Sequence, residues 1–115
     1  MHVVQEAQQD KSKEFWCRVF QIRQDTVVAI CDKELLDKVL NFKQKKVKVR
    51  VSKTFYGGVQ ISERIVVKLL SKATIANLIG KKIVAIAKKN GFITKENVIL
   101  IDEVPHAQFV KIIQA

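Results

Sequence analysis

The sequence predicts an α/β or α+β domain, a single mixed β-sheet packed with two to four helices. Segments rich in β-branched and aromatic residues alternate with segments whose apolar residues recur at helical spacing. Their order is strands, a helix, a strand, helices and closing strands, with no internal repeat; such an order builds a sheet with helices packed on it. A chain of 115 residues suits one domain with enough core to fold alone.

Residues 1–14 read as a flexible N-terminal tail and residues 15–115 as the globular domain. Phe15 to Arg23 is rich in residues that suit a pleated, half-buried surface. Gln24-Asp25 is a polar break, and Thr26 to Cys31 is a second β-like run. The pair reads as a hairpin whose turn lacks the favoured glycine. A two-residue turn there sets Arg18 opposite Cys31 and points Cys17 to the other face. That register argues against a disulfide, so two reduced core cysteines are expected, and their spacing fits no metal.

Asp32 reads as the N-cap of a helix over Lys33 to Leu40, in which Leu35, Leu36, Val39 and Leu40 share helical spacing. Asn41 to Lys46 leads into a strand over Val47 to Ser52, and Phe55-Tyr56-Gly57-Gly58 reads as a loop. Ser62 is a candidate N-cap for a helix reaching Ser71. A longer helix is predicted over Ala73 to Lys89, burying Ile75, Ile79, Ile83 and Ile86, with Asn90-Gly91 as its stop. Gly80 interrupts it at a cost of about 1 kcal/mol relative to alanine; it reads as a close helix–strand approach or as a break. Thr94-Lys95-Glu96-Asn97 reads as a turn or short helix. Val98 to Ile101 and Gln108 to Ile113 read as closing strands, with Pro105 at a strand edge or in the connection between them.

Charge points to function. The chain carries a net charge of +10, and six cations, Lys43, Lys45, Lys46, Lys48, Arg50 and Lys53, fall in one stretch without an acid. Val47, Val49 and Val51 alternate with Lys46, Lys48 and Arg50, so a strand there turns valines to a core and cations outward. Such a face attracts polyanions, and nucleic acid is the commonest inside a cell. On the predicted long helix, Thr74, Asn77, Lys81 and Lys88 cluster on one side with Lys82 and Lys89 beside them. They form a solvated face favoured by the helix dipole, or a second set of phosphate contacts. Phe55-Tyr56-Gly57-Gly58 is either an aromatic platform for bases or a core plug whose glycines make a positive-φ turn. The hydrophobic content of 48% and charged content of 28% are globular values, unlike those of a disordered basic tail. Apolar runs are too short to span a membrane, and Met1 to Glu14 holds no apolar signal core, so an intracellular setting is expected.

Catalysis has weak signals. His106 is the only histidine outside the tail, and Cys31-Asp32 and Asp102-Glu103 supply acids and a thiol, but no nucleophile elbow or metal cluster is present. No enzyme activity, cofactor or metal is expected. His106 reads as a loop hydrogen-bonder or a contact to RNA.

Four segments carry a family likeness: Cys31-Asp32-Lys33-Glu34-Leu35-Leu36, Phe55-Tyr56-Gly57-Gly58, Ala73 to Gly80, and Val104 to Phe109. In this order they resemble the small archaeal family catalogued as domain of unknown function number 424, and the likeness covers roughly Arg18 to Ile112. The resemblance implies a single α/β domain without established enzymatic activity, in an archaeal, cytoplasmic and translation-linked setting. The chain departs from many relatives in its extra N-terminal residues and its high lysine content.

Two readings follow. The first is a non-catalytic ribosomal or ribosome-associated protein that binds structured RNA, ribosomal RNA by preference, and the small subunit over the large. Its contacts would be Lys43, Lys45, Lys46, Lys48, Arg50, Lys53, Tyr56, Lys81, Lys82, Lys88, Lys89 and His106, with neighbouring ribosomal proteins as further partners. The second is a translation-linked adaptor that binds a protein through Asn77 to Gly80 and Val104 to Phe109. An enzyme is third.

Overall fold

The computed structural model describes residues 12–112. The flexible tail expected over residues 1–14 therefore falls mostly outside the described residues. Within it, Glu14 is held, since its carbonyl accepts from the Lys33 N–H at 2.9 Å.

Two strands open the fold, β1 (Phe15–Ile22) and β2 (Asp25–Asp32). They form the expected hairpin, but the turn is Arg23-Gln24 rather than Gln24-Asp25. Arg23 takes the positive φ, 56°, that glycine would supply more easily. The register moves accordingly: Arg18 faces Ala29, and Cys31 faces Trp16. A shift of two preserves the alternation of faces, so Cys17 and Cys31 still point to opposite sides. Both are buried and free.

The helix expected over Lys33 to Leu40 does not form. A single 3₁₀ turn (Lys33–Leu35) is followed by β3 (Val39–Phe42), a second 3₁₀ turn (Lys43–Lys45) and β4 (Val47–Arg50). β3 and β4 pair antiparallel as a separate two-stranded sheet. The valine row is buried only at its base, with exposure falling from 50% at Val47 to 1% at Val51.

The predicted loop at Phe55 begins inside a short helix, α1 (Lys53–Tyr56), capped by Ser52, whose hydroxyl accepts from the Phe55 N–H at 3.2 Å. The two glycines after it do not adopt positive φ; they are needed for space. A Cβ on Gly58 would stand 2.5 Å from the Cys17 carbonyl oxygen.

β5 (Val59–Ile61) and α2 (Glu63–Lys72) follow, the helix starting after Ser62 as expected. The long helix predicted over Ala73 to Lys89 is instead a strand, a glycine and a helix: β6 (Ile75–Ile79), Gly80 and α3 (Lys81–Lys89). Gly80 was the break, with φ of 131°. Ile79, Ile83 and Ile86 are buried as predicted, whereas Ile75 is only half-buried. Asn90 ends α3, its N–H returning to Ile86, and Gly91 takes φ of 78°. A 3₁₀ turn (Lys95–Asn97) with a Thr94–Asn97 capping box leads to β7 (Val98–Ile101). The last described strand, β8 (Val104–Val110), starts four residues earlier than expected, after the tight turn Asp102-Glu103. Pro105 lies in β8 just beyond the reach of β6, where its carbonyl accepts from the Gly80 N–H at 2.9 Å.

The main sheet has six strands in the order β5-β1-β2-β6-β8-β7. β2 and β6 run parallel and every other neighbouring pair antiparallel, so the sheet is mixed and the fold α+β. On one face, Val66 and Leu70 of α2 and Ile83, Val84 and Ala87 of α3 pack on Cys17, Val28, Ile30, Ala76 and Leu78. On the other, Leu40 of β3, Val51 and Tyr56 pack on Ala29, Cys31 and Ile79. The molecule thus has three layers: helices, the six-stranded sheet, and the β3–β4 hairpin with α1.

Candidate nucleic-acid interface

The basic stretch folds as the outer half of the hairpin layer. Cross-strand pairs alternate in character: Leu40–Val49 faces the sheet, Asn41–Lys48 faces outward, and Phe42–Val47 closes the tip. Between Phe42 and Val47 the chain makes a 3₁₀ turn that ends at Lys46 in the left-handed conformation, φ 56° and ψ 38°. The Lys46 N–H donates to the Lys43 carbonyl at 3.2 Å. This turn is tight and carries no buried residue, so Lys43, Lys45 and Lys46 fan into solvent.

The six cations are not equivalent. Arg50 pairs with Asp37 at 3.2 Å, and Lys53 lies 3.8 Å from the same carboxylate. Lys43, Lys45, Lys46 and Lys48 have no ion pair among the described residues. Free charge therefore concentrates at the tip. Asp37 lies outside the basic stretch, and only the fold reveals its neutralising role; it reaches Arg50 because β4 runs back beside β3.

The other sequence candidates do not join this surface. Lys81, Lys82, Lys88 and Lys89 belong to α3, on the opposite side of the main sheet. Lys82 is paired with Glu14. Lys81–Lys82 and Lys88–Lys89 lie at opposite ends of the helix, about 10 Å apart along its axis.

Tyr56 is a correction to the exposed-aromatic reading. Its ring is buried against the core, edge-on to Phe55 with centroids 4.9 Å apart. Its hydroxyl donates to Asn77 Oδ1 at 3.2 Å, and His106 Nε2–H donates to the same oxygen at 2.9 Å. His106 is thus held by a strand neighbour and is half-buried, and burial pushes its pKa below 6.5. It lies in β8 rather than in a loop. Asn77, read earlier as part of a lysine face, is the hub of this polar group. The segments Asn77 to Gly80 and Val104 to Phe109 are neighbours in the sheet, with Ile79 beside His106 and Asn77 beside Gln108.

Two residues that charge counting passes over complete the tip. An open recess of about 410 Å³ is lined by Asn41, Phe42, Lys43, Lys46, Val47 and Lys48. Its signal in the sequence was an asparagine and an aromatic residue immediately before the lysines. Among the described residues, no group of three or more His, Cys, Asp or Glu residues could hold a metal ion. No helix among them is long and apolar enough to cross a membrane.

The chain belongs to the family described as Protein of unknown function (DUF424), whose model matches residues 20–112. A crystal structure of an uncharacterized conserved protein from Methanopyrus kandleri is similar, with a TM-score of 0.72 and 20% sequence identity over 88% of this chain and 96% of that one. At that identity the likeness concerns the fold. No curated protein matches the chain.

Proposed function

We propose that this protein is a non-catalytic RNA-binding protein of the translation machinery, ribosomal or ribosome-associated, and that the β3–β4 tip is its contact with RNA. The observation that carries the reading is the cluster of four lysines, Lys43, Lys45, Lys46 and Lys48, exposed on one short hairpin and in no ion pair among the described residues. Lysine contacts to phosphate release counterions and need only charge and reach. A net charge of +10 extends the attraction beyond contact distance. A fixed site in an assembly suits such binding, because shape and charge suffice where no sequence is read. In this reading the α3 lysines meet a second RNA strand or solvent, on the far side of the molecule.

The test is sedimentation of a lysate at moderate salt. The wild-type chain is expected with ribosomal subunits, preferentially the small one. A variant with Lys43→Glu, Lys46→Glu and Lys48→Glu should fold by circular dichroism and remain at the top of the gradient. Arg50 is left alone because reversing it would set a second acid beside Asp37. With purified ribosomal RNA, four phosphate contacts give a log–log salt slope of roughly −3 to −3.5. Co-migration of the folded reversal variant with ribosomes would remove the hairpin from the contact.

A further inference from the structure

Building on the RNA-binding reading above, we infer that the recess at the β3–β4 tip receives one unpaired base, so that the protein prefers RNA with single-stranded nucleotides over a plain duplex. Phosphate neutralisation explains the lysines and nothing else at the tip. It does not use the apolar pair Phe42–Val47, which the hairpin leaves partly open: Val47 is 50% exposed and Phe42 is half-buried. A duplex presents phosphates and groove edges, whereas an unpaired nucleotide presents an aromatic face that stacks on an apolar surface. The recess volume of about 410 Å³ falls within the ordinary range for small-ligand sites.

The rim matches the rest of a nucleotide. Lys43 and Lys46 line the recess beside Phe42 and Val47 and supply cations for the flanking phosphates. The Asn41 backbone is pinned at this place by its N–H bond to Asp102 Oδ2, 3.1 Å. Charge also sets a direction. Asp102 and Glu103 line a neighbouring recess with Asn41, Lys43 and Gln44. Phosphates are repelled from that side, so the backbone on either side of the base follows Lys46 and Lys48.

The experiment uses the full chain and two RNA probes of equal phosphate number, a perfect duplex and a stem with an unpaired loop, in fluorescence anisotropy titrations. The wild-type chain should bind the stem-loop about tenfold more tightly than the duplex. Phe42→Leu keeps apolar bulk but removes the ring, and Val47→Ala trims the exposed half of the apolar pair. Each should reduce the preference to about twofold or less while leaving duplex affinity nearly unchanged. Should Phe42→Leu perturb folding, Val47→Ala still decides. Lys48→Glu should weaken both probes together. Equal wild-type affinity for the two probes overturns the base-binding inference and leaves RNA binding intact. Failure to bind either probe overturns the RNA reading itself.

Discussion

The carboxyl group of Asp32 occupies the space where a side chain on residue 80 would begin. A Cβ placed on Gly80 would stand 2.3 Å from Asp32 Cγ. Asp32 ends β2 and Gly80 follows β6; these are the two parallel strands, so their pairing brings the two residues side by side. The carboxylate then reaches the first turn of α3, accepting from the Lys82 and Ile83 N–H groups at 2.9 Å each. It satisfies helix donors that would otherwise be orphaned, in a site where Asp32 is only 2% exposed. Burial raises its pKa, opposed by those two hydrogen bonds.

Gly80→Ala should therefore destabilise the fold by roughly 3 kcal/mol or more, from the clash and from φ of 131° together. Asp32→Gly should relieve the clash but not the strain. In a denaturant double-mutant cycle the two changes should couple by about 1–3 kcal/mol, the pair costing less than the sum. Additivity within about 0.5 kcal/mol would show that the carboxylate does not impose the glycine.

The hairpin layer should tolerate change that the sheet beneath it does not. Ile79→Ala, at 2% exposure, should cost roughly 2–5 kcal/mol. Val47→Ala, at 50% exposure, should stay within about 0.5 kcal/mol. Urea midpoints of the two variants check the contrast.

Burial pushes both thiols, Cys17 and Cys31, up to about 12. Neither presents a useful thiolate near neutral pH. Iodoacetamide at about pH 8 should leave both unmodified in the folded chain and alkylate both in denaturant, as read by mass spectrometry. Rapid labelling of either one without denaturant would contradict its burial.

His106 gives a defined pH response. Its folded pKa lies below the unfolded value of 6.5, because burial disfavours the cation. Between those two values the unfolded chain binds a proton that the folded chain refuses. The stability it contributes is complete above about pH 6.5 and declines as the solution is acidified through that window. Thermal midpoints measured from neutral to mildly acidic pH should fall less steeply for His106→Gln than for the wild-type chain. Identical slopes would mean that His106 does not titrate differently in the two states.

Strands β1, β2, β4 and β7 were legible because they depend on local pattern, whereas β3, the partner of β4, was hidden in an expected helix and connection. Val47, Val49 and Val51 alternate with cations, and that alternation forms β4 and its exposed lysines. The failures came where one pattern fits two structures. Ile75, Ile79, Ile83 and Ile86 match a helix, yet Ile75 and Ile79 also share one face of a strand. β6 is central, with Ala76 and Leu78 buried on one face and Ile79 on the other, so polarity does not alternate along it. Only Gly80 marked the join. Asp32 does cap a helix, but the helix is α3, brought to it by the β2–β6 pairing and unreadable from its neighbours in sequence. The recess at the hairpin tip was hidden for a similar reason: Phe42 and Val47 meet only once the hairpin closes.

The position of β8 bears on how the domain is made. β8 comes last in chain order among the described strands, yet it lies inside the sheet, between β6 and β7. Before β8 is made, β6 has β2 on one side and, on the other, an open edge whose backbone groups from Ile75 to Ile79 lack the partner that β8 later supplies. The nascent chain can complete its sheet only when the final hairpin arrives and inserts. Until that insertion, the β6 backbone offers a strand edge on which a wrong partner could pair.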